Sequence, residues 1–313
     1  MTSWNSGLSD LAHQHLPPAV AERWIGVLRP AARLAVAPAA STAPDATAPD
    51  ATASAANGAA EAGVEQAGAG QLGGLPELPP GVPWPQWPGH GPLTFIASVD
   101  CAALPHGELD LELPTGGTLL FFYFDGQLDG GQALVIYSDQ ESQAGARVLY
   151  VPAGVETVER PLPDGLTAYP RLPLTAQPEA TAPEYDEPAL AAAFGTEGQD
   201  PEHMLDHPVC GEDFTAAVHA ARPGPRHRIG GFPHPVQGSV QYEAARAALG
   251  PGTQWDDPRV RAMADRLVLL AQIDSDYRAR MMWGDMGVLY WLISPEDLAA
   301  RRFDKALFTW QCC

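Results

Sequence analysis

The chain has 313 residues, of which 45% are hydrophobic, and its 38 Asp and Glu residues against 18 Lys and Arg residues give a formal net charge of −20. The hydrophobic fraction is sufficient for a sizeable core, whereas a surface that binds phosphates needs clustered cations. The charge therefore argues against nucleic acid and anionic membranes as partners. It is compatible with a basic protein partner, or simply with a self-repelling surface.

The part of the chain before Leu72 divides into two segments by composition. Apolar residues recur at roughly helical spacing from Leu8 to Leu34, so residues 1–35 are predicted to form a helical N-terminal element. Residues 36–71 contain no Leu, Ile, Phe, Tyr, Trp, Lys or Arg and repeat the pentapeptide Ala-Pro-Asp-Ala-Thr. Because such a segment buries too little apolar surface to offset its ordering entropy, we expect a disordered linker there.

From Leu72 onwards the composition is globular, and residues 72–313 are predicted to form one folded domain. Strands are predicted where short apolar runs are bounded by turn residues; they cover Leu93–Val99, Thr118–Phe124, Ala133–Tyr137, Arg147–Val151, Leu267–Ile273 and Val288–Ile293. Glycines between the second and third runs predict an antiparallel hairpin. Helices are predicted over Val240–Leu249, over Pro258–Arg266 after the capping residue Asp257, and from Ser294. Residues 152–210 are predicted to form long loops.

The two halves of this domain contain the same succession of motifs. A Gly-Gly-apolar-Pro turn, an apolar strand that ends in Asp, and a second apolar strand led by Gly occur at Gly73, Asp100 and Gly117 and again at Gly230, Asp274 and Gly287. The order is the same in both halves, and only the loop lengths between the motifs differ. The pattern predicts an α+β fold with largely antiparallel β-sheets from two pseudo-repeated halves and peripheral helices. The alternative is chance recurrence in a chain rich in Gly and Pro.

These motifs carry a resemblance to the YwqG-like family, a bacterial domain of unknown function. The matching segments, in order, are Gly73–Pro76, Pro83–Pro85, Pro92–Ala97, Gly116–Phe122, Arg228–Gln237, Leu269–Asp276, Trp283–Asp285 and Gly287–Leu292. The resemblance implies a single compact α+β domain from about Leu72 to the C-terminus, with no established catalytic residue to carry over. Some relatives lie in gene neighbourhoods with polymorphic toxins, which implies an immunity-type or partner-binding role.

Candidate ligand-binding carboxylates lie at strand ends. Asp100 and Asp274 end equivalent strands, and a pseudo-twofold axis that brought them together would form a paired-carboxylate site. Asp274, Asp276 and Asp285 are predicted to form an acidic cluster, and oxygen-rich loops of this kind bind Ca²⁺ or Mg²⁺. Turn capping is the alternative for each of these carboxylates.

Three further residues complete the predicted ligand-binding set. Trp84 lies in a rigid Pro-Trp-Pro-Gln-Trp-Pro loop, and such an aromatic loop can line a ligand or peptide groove. Trp283 precedes Asp285, and Gln237 follows the second Gly-Gly-apolar-Pro turn. A place in the core, packed against the sheet, is the alternative for the tryptophans.

The predicted metal site consists of His203, His207 and Cys210. Two histidines four positions apart share one face of a helical turn, and a cysteine three positions later can close on Zn²⁺. Pro208 disturbs such a helix, so surface histidines in a loop are the alternative. No cofactor is expected.

The expected function is binding rather than catalysis. No nucleophile elbow, phosphate-binding loop or dinucleotide fingerprint occurs in the sequence. The four cysteines do not resemble a secreted disulfide framework, and neither a signal peptide nor an apolar run of about 20 residues is visible, so a cytoplasmic protein is expected. We expect a non-enzymatic interaction protein, including an immunity-type role towards a basic partner. The alternatives are a metal-dependent or hydrolase-like enzyme, and a docking peptide formed by residues 1–35.

Overall fold

The computed structural model of the chain describes residues 3–38, 68–196, 201–222 and 224–313. The predicted linker over residues 36–71 lies outside these ranges except at its two ends, so its disorder stays a prediction. The β-strands of the described residues are β1 (Arg29–Val36), β2 (Gly70–Leu72), β3 (Glu77–Leu78), β4 (Gln86–Trp87), β5 (Gly91–Pro92), β6 (Thr94–Asp100), β7 (Thr118–Tyr123), β8 (Ala146–Val151), β9 (Val158–Glu159), β10 (Leu172–Thr181), β11 (Arg228–Ile229), β12 (Val268–Asp274), β13 (Val288–Ile293) and β14 (Leu307–Gln311). The α-helices are α1 (Ser6–His15), α2 (Pro18–Ile25), α3 (Pro188–Phe194), α4 (Glu212–Ala220), α5 (Val240–Leu249), α6 (Pro258–Ala264) and α7 (Pro295–Ala299).

Ten of the strands form one sheet, in the order β14-β13-β12-β11-β1-β10-β2-β6-β7-β8. Every pairing in it is antiparallel. The central pair, β1 and β10, is joined over eight residue pairs. A four-stranded group lies on each side of it, and two small sheets, β3-β9 and β4-β5, lie apart. The predicted α+β class with a largely antiparallel sheet is confirmed.

The two four-stranded groups match in local detail. Each begins with a short strand before a Gly-Gly turn, continues with a long strand, and ends with two more strands paired in succession. The register of β6 shifts just before Ala97, and that of β12 shifts just before Ala271. Ala97 stands in the same place relative to Asp100 as Ala271 does relative to Asp274. The same local irregularity is therefore built twice.

Side chains of the two groups meet in the main core. The ring of Phe121 in β7 packs against Trp291 in β13, with centroids 5.1 Å apart, and Tyr123 stacks on Phe308 in β14 at 4.9 Å. The Gln143 side-chain amide covers the outer edge of β14, because it accepts from the Phe308 N–H at 2.9 Å and donates to the Phe308 carbonyl at 3.0 Å. The amide satisfies the backbone of this edge residue in place of another strand.

The helices lie at the periphery and form two smaller cores with the sheet. Trp24 of α2 packs edge to face on Phe214 of α4, with centroids 4.8 Å apart, in a cluster that includes Leu8 of α1. Val240 of α5 and Val260 of α6 are fully buried against residues of β12 and β13. No helix of the described residues is long and apolar enough to cross a membrane.

Most predicted elements of the second half are confirmed. The predicted helix Val240–Leu249 coincides with α5. The Asp257 carboxylate accepts from the Arg259 N–H at the start of α6, and the Ser294 hydroxyl accepts from the Asp297 N–H at the start of α7. Such caps satisfy N–H groups that have no partner within the first turn of a helix.

The predicted helical element over residues 1–35 is wrong in its last part. The helical segment ends at Ile25, and Arg29–Val36 is the strand β1. Alanine favours helices in isolation, but Ala31 and Ala32 are fully buried in a strand that pairs with β10 on one side and β11 on the other. Pairing on both sides outweighs local propensity here.

Two further predictions are wrong. Residues 133–137 form no strand, and β7 pairs with β8 instead; the Val135 carbonyl accepts from the Trp310 indole N–H at 2.9 Å. Residues 152–210, predicted as loops, contain β10, the longest strand of the sheet. Pro173 and Pro178 lie within β10. Because proline is rare inside central strands, these two residues argued against predicting a strand there.

Candidate functional site

Each Gly-Gly turn is held by one side chain from the strand before it. In the first half, Gln71 Nε2 donates to the carbonyls of Gly73 at 2.8 Å and Leu75 at 3.1 Å. The residue at the same place before the second turn is Arg228, and its Nη1 donates to the Phe232 carbonyl, the equivalent of the Leu75 carbonyl, at 3.2 Å. An amide is therefore sufficient to hold such a turn, and the guanidinium brings further N–H groups.

Arg228 is buried while part of its guanidinium group is unused. Its side chain is 1% exposed, and Nε donates to the Arg226 carbonyl at 3.4 Å. Within the described part of the chain, Nη2 has no hydrogen-bond partner. Burial lowers the pKa of Arg228, against the opposing attraction of Glu179 and Asp274. A buried polar atom without a partner is uncommon, and it is available to a ligand.

Arg222 and Arg226 lie beside Arg228 around one small cavity, which we call the arginine pocket. Arg222 follows α4 and donates to the Ala180 carbonyl. Arg226 donates to the carbonyls of Arg222 at 3.2 Å and His219 at 3.5 Å. All three arginines line a cavity of about 50 Å³, which has room for a few water molecules or one small oxyanion.

The three arginines of the arginine pocket form no ion pair with any side chain that the structure describes. Nine ion pairs join side chains of the described residues, and none includes Arg222, Arg226 or Arg228. The hydrogen bonds of their side chains go to backbone carbonyls. Burial, and then the repulsion from Arg228, lowers the pKa of Arg222 to about 10, so it stays protonated at neutral pH. Positive charge is thus concentrated here, although the chain as a whole is strongly acidic.

Three potential metal ligands line the same pocket. Glu184 follows β10, His219 lies in the last turn of α4, and His234 follows the second Gly-Gly turn. Their ligand atoms all lie within 4.8 Å of one another, with His234 Nδ1 at 3.6 Å from Glu184 Oε1. Burial, and then the neighbouring His234, lowers the pKa of His219. A neutral imidazole at neutral pH has a lone pair to offer.

The position of His234 is fixed by its surroundings. Its backbone N–H donates to the side chain of the buried Gln272 at 2.9 Å, and its backbone carbonyl accepts from the Tyr290 hydroxyl at 2.7 Å. The turn before it requires glycine at position 231, where φ is +71°. A Cβ added to Gly231 would lie 2.6 Å from Thr181 Oγ1. A residue whose backbone is fixed in this way is suited to a binding site.

Asp100 and Asp274 do not form the predicted pair. Four strands separate β6 from β12 in the antiparallel sheet, so the two strands run in opposite directions. Their C-terminal ends, where Asp100 and Asp274 lie, therefore point to opposite sides of the sheet along the strand direction. Asp100 accepts from the Ala102 N–H at 2.9 Å and lines a separate open cleft of about 470 Å³. Asp274 accepts from the Arg226 N–H at 2.7 Å, beside the arginine pocket.

The other two acidic candidates have partners of their own. Asp276 is 2% exposed and contacts His227 at 3.3 Å and Arg278 at 2.7 Å. Burial alone would raise the pKa of Asp276, but hydrogen bonds from these two residues outweigh that effect and hold it well below its ordinary range. Asp285 is exposed, and its backbone carbonyl accepts from the Cys313 N–H at 3.1 Å. In the described part of the chain, the hydrogen-bond partners given above for Asp274, Asp276 and Asp285 are therefore N–H groups of the protein.

The remaining ligand-binding candidates lie in different places. Trp84 is buried and its indole N–H donates to the Leu93 carbonyl at 2.8 Å. Trp283 is buried as well. The backbone N–H of Gln237 donates to the Gln311 side chain at 3.0 Å. Both tryptophans thus lie in the core, and a role for any of the three in ligand binding stays a prediction.

The predicted metal residues lie in a segment of 3₁₀ turns. His203 is exposed, whereas His207 is half-buried, packs on Phe194 at 4.4 Å and accepts from the Val209 N–H at 3.4 Å. Burial raises the pKa of the Cys210 thiol to about 11. Metal binding at these three residues stays a prediction. Among the described residues, the ligand atoms found within 4.8 Å of one another are those of the arginine pocket.

The arginine pocket was not predicted from the sequence. One signal was available, because Arg222, Arg226 and Arg228 lie close together in a strongly acidic chain. The three potential metal ligands, in contrast, lie far apart in the sequence, and their spacing matches no local motif. They come together only because the end of β10, the end of α4 and the second Gly-Gly turn meet in the fold.

Comparison with known families matches residues 70–312 to a domain of unknown function, DUF1963. The chain belongs to this family. No curated protein matches the chain. The matched range runs from β2 to β14 and contains the three arginines, whereas β1 at the centre of the sheet lies before it. The expectation of a domain of unknown function is confirmed.

Proposed function

We propose that this DUF1963 protein is a binding protein whose arginine pocket takes a small oxyanion, such as a carboxylate or phosphate group of a ligand. The observation that carries the proposal is the buried guanidinium group of Arg228, which forms no ion pair with any described residue and whose Nη2 has no described hydrogen-bond partner. Glu179 and Asp274 attract this charge without forming an ion pair with it, and a buried charge without a hydrogen-bonded partner of opposite sign costs free energy. A bound oxyanion would offset this cost and accept from the arginine N–H groups.

The internal comparison with Gln71 supports a role beyond the turn. Gln71 holds the first Gly-Gly turn with an amide alone, so the second turn does not require a charged side chain. Arg222 and Arg226 add two further cations around a cavity that suits a small group in size. Because planar guanidinium groups match carboxylate and phosphate oxygens in geometry, these anions are the preferred ligand class.

The test is Arg228→Gln, which copies the residue of the first half. Without an added anion, we expect the variant to be at least as stable as the wild type, because it keeps a donor for Phe232 and removes a buried charge. With millimolar sulfate at constant ionic strength, the wild type should gain up to about 2–3 kcal/mol in its free energy of unfolding. The variant should gain much less. Urea unfolding with and without sulfate measures both effects.

Arg280→Gln is the matched control, since Arg280 is exposed and lies outside the pocket. It should respond to sulfate as the wild type does. A purely structural Arg228 would give the opposite result: the variant would lose stability in the absence of sulfate, and both proteins would respond to sulfate equally. That outcome would remove the proposal.

Two finer proposals rest on the sequence. We propose that the chain is a YwqG-like member of the family, which the ordered motifs from Gly73 to Leu292 support. We also propose a basic protein as partner, with an immunity-type role, which is supported by the net charge of −20 and by the absence of any Lys or Arg between Leu34 and Arg147. Pull-down with the full chain at low and high salt tests the partner, because a charge-driven complex should weaken as salt screens it.

A further inference from the structure

We infer that Glu184, His219 and His234 bind a divalent transition metal ion of the Zn²⁺ class, next to the oxyanion in the arginine pocket. The inference deepens the proposed function and rests on it, because the oxyanion is its second component. Imidazole nitrogen and carboxylate oxygen are ligands that Zn²⁺ accepts in proteins. Three protein ligands leave a fourth position for an oxygen of the anion.

The distances fit the inference. Tetrahedral coordination with bonds of about 2.0–2.1 Å places ligand atoms about 3.3 Å apart. His234 Nδ1 and Glu184 Oε1 are already 3.6 Å apart, and His219 offers a nitrogen within 4.8 Å of both. Glu184 is half-buried and His219 is exposed, so both have freedom to rotate at the rim of the pocket. The backbone of His234 is held by its hydrogen bonds with Gln272 and Tyr290.

The charges predict that metal and anion bind together. Arg222, Arg226 and Arg228 oppose a divalent cation through Coulomb repulsion when the pocket holds no anion. A bound sulfate or phosphate offsets this repulsion and offers an oxygen to the metal. Because binding coupling is reciprocal, the metal must tighten the anion by the same factor as the anion tightens the metal.

The experiment is a calorimetric titration of the full chain with Zn²⁺, in chloride and in sulfate at equal ionic strength. We expect one Zn²⁺ per chain, bound at least ~10-fold more tightly in sulfate. His219→Ala and Glu184→Gln should each weaken Zn²⁺ binding by at least ~10-fold. His203→Ala is the matched control, since it removes a histidine of the region that the sequence predicted as a metal site, and it should bind as the wild type does.

Several outcomes would overturn the inference. These are the absence of Zn²⁺ binding in both buffers, equal affinity in both buffers, or loss of binding in His203→Ala or Cys312→Ser but not in His219→Ala. The sulfate response of the metal-free chain, measured with EDTA present, tests the anion site alone. A sulfate response without Zn²⁺ binding would leave the proposed function standing and remove only the metal inference.

Discussion

Arg228 and Gln71 show how one side chain changes the chemical character of two similar turns. They occupy matching positions, and each donates to a carbonyl of the turn that follows. The amide leaves its turn electrically neutral, whereas the guanidinium adds a buried positive charge beside Arg222 and Arg226. The two Gly-Gly turns, which follow the strands on either side of the central pair, can therefore share a framework and differ in ligand chemistry.

The cysteines are expected to differ sharply in reactivity. Burial, and then the nearby Asp100 carboxylate, raises the pKa of the Cys101 thiol to about 12, whereas Cys313 is exposed. Because alkylation requires the thiolate, iodoacetamide at mildly alkaline pH should modify Cys313 at least ~100-fold faster than Cys101 in the folded chain. Peptide mass spectrometry over time measures both rates. The gap should close in urea, and similar rates in the folded protein would contradict this account.

Glu187 should make stability depend on pH. Burial raises its pKa from 4.5 to about 7, although Gln241 donates a hydrogen bond to it. The folded state therefore holds the proton more tightly than the unfolded chain, and stability falls as the pH rises from about 4.5 to about 7. Glu187→Gln should raise the free energy of unfolding by about 1–2 kcal/mol at about pH 8 and hardly at about pH 4.5.

Urea unfolding at the two pH values measures this difference. The control is Glu112→Gln, since Glu112 is exposed, and it should leave the pH profile unchanged. Equal destabilisation by Glu187→Gln at both pH values would contradict this prediction. It would show that Gln241 needs the carboxylate as a structural partner and that burial of the carboxylate does not lower the free energy of unfolding.

At the scale of single elements, the Gly-Gly turns require glycine for reasons of space as well as backbone conformation. Gly73 has φ +57°, and an added Cβ would lie 2.4 Å from the Pro170 carbonyl oxygen. Gly73→Ala should therefore reduce the free energy of unfolding by about 2–4 kcal/mol. Gly107→Ala is the matched control, because Gly107 has open space around its Cβ position. Equal unfolding midpoints for the two variants would show that the turn adapts.

The strand β1 shows how pairing decides an element. Its sequence, Arg-Pro-Ala-Ala-Arg-Leu-Ala-Val, contains one β-branched residue, and local propensity favours a helix. Its place between β10 and β11 supplies backbone partners on both sides and buries its small side chains. Neither partner is near it in sequence, which is why a local pattern could not predict it.

At the scale of the whole molecule, residues 3–38 are expected to be indispensable. The sequence left open that residues 1–35 are a separable docking peptide, but β1 lies in the middle of the ten-stranded sheet. A chain without residues 1–38 would expose both inner edges of the sheet and lose eight residue pairs with β10. We expect it to be unfolded or aggregated, by circular dichroism and size-exclusion chromatography.

Shortening the chain between β1 and β2 provides the control. Val36 and Gly70 both pair with Leu174, on opposite sides of β10, so the two chain ends are about 10 Å apart. A linker of about six Gly and Ser residues spans this distance, and replacing residues 39–67 with it should leave the unfolding midpoint within a few degrees. A folded chain without residues 1–38, or an unfolded chain with the short linker, would contradict this view of the sheet.

The sequence by itself determined the periodic and capped elements, the α+β class and the order of motifs in the two halves, because these depend on residues close to one another in the chain. Only the tertiary structure decided that β1 and β10 form the centre of the sheet, since their pairing joins segments that are remote in the sequence. It also decided that Asp100 and Asp274 lie on opposite sides of the sheet along the strand direction, because β6 and β12 run in opposite directions. The arginine pocket likewise exists only where the ends of separate elements meet, because only the fold places Glu184, His219 and His234 beside the three arginines around one cavity.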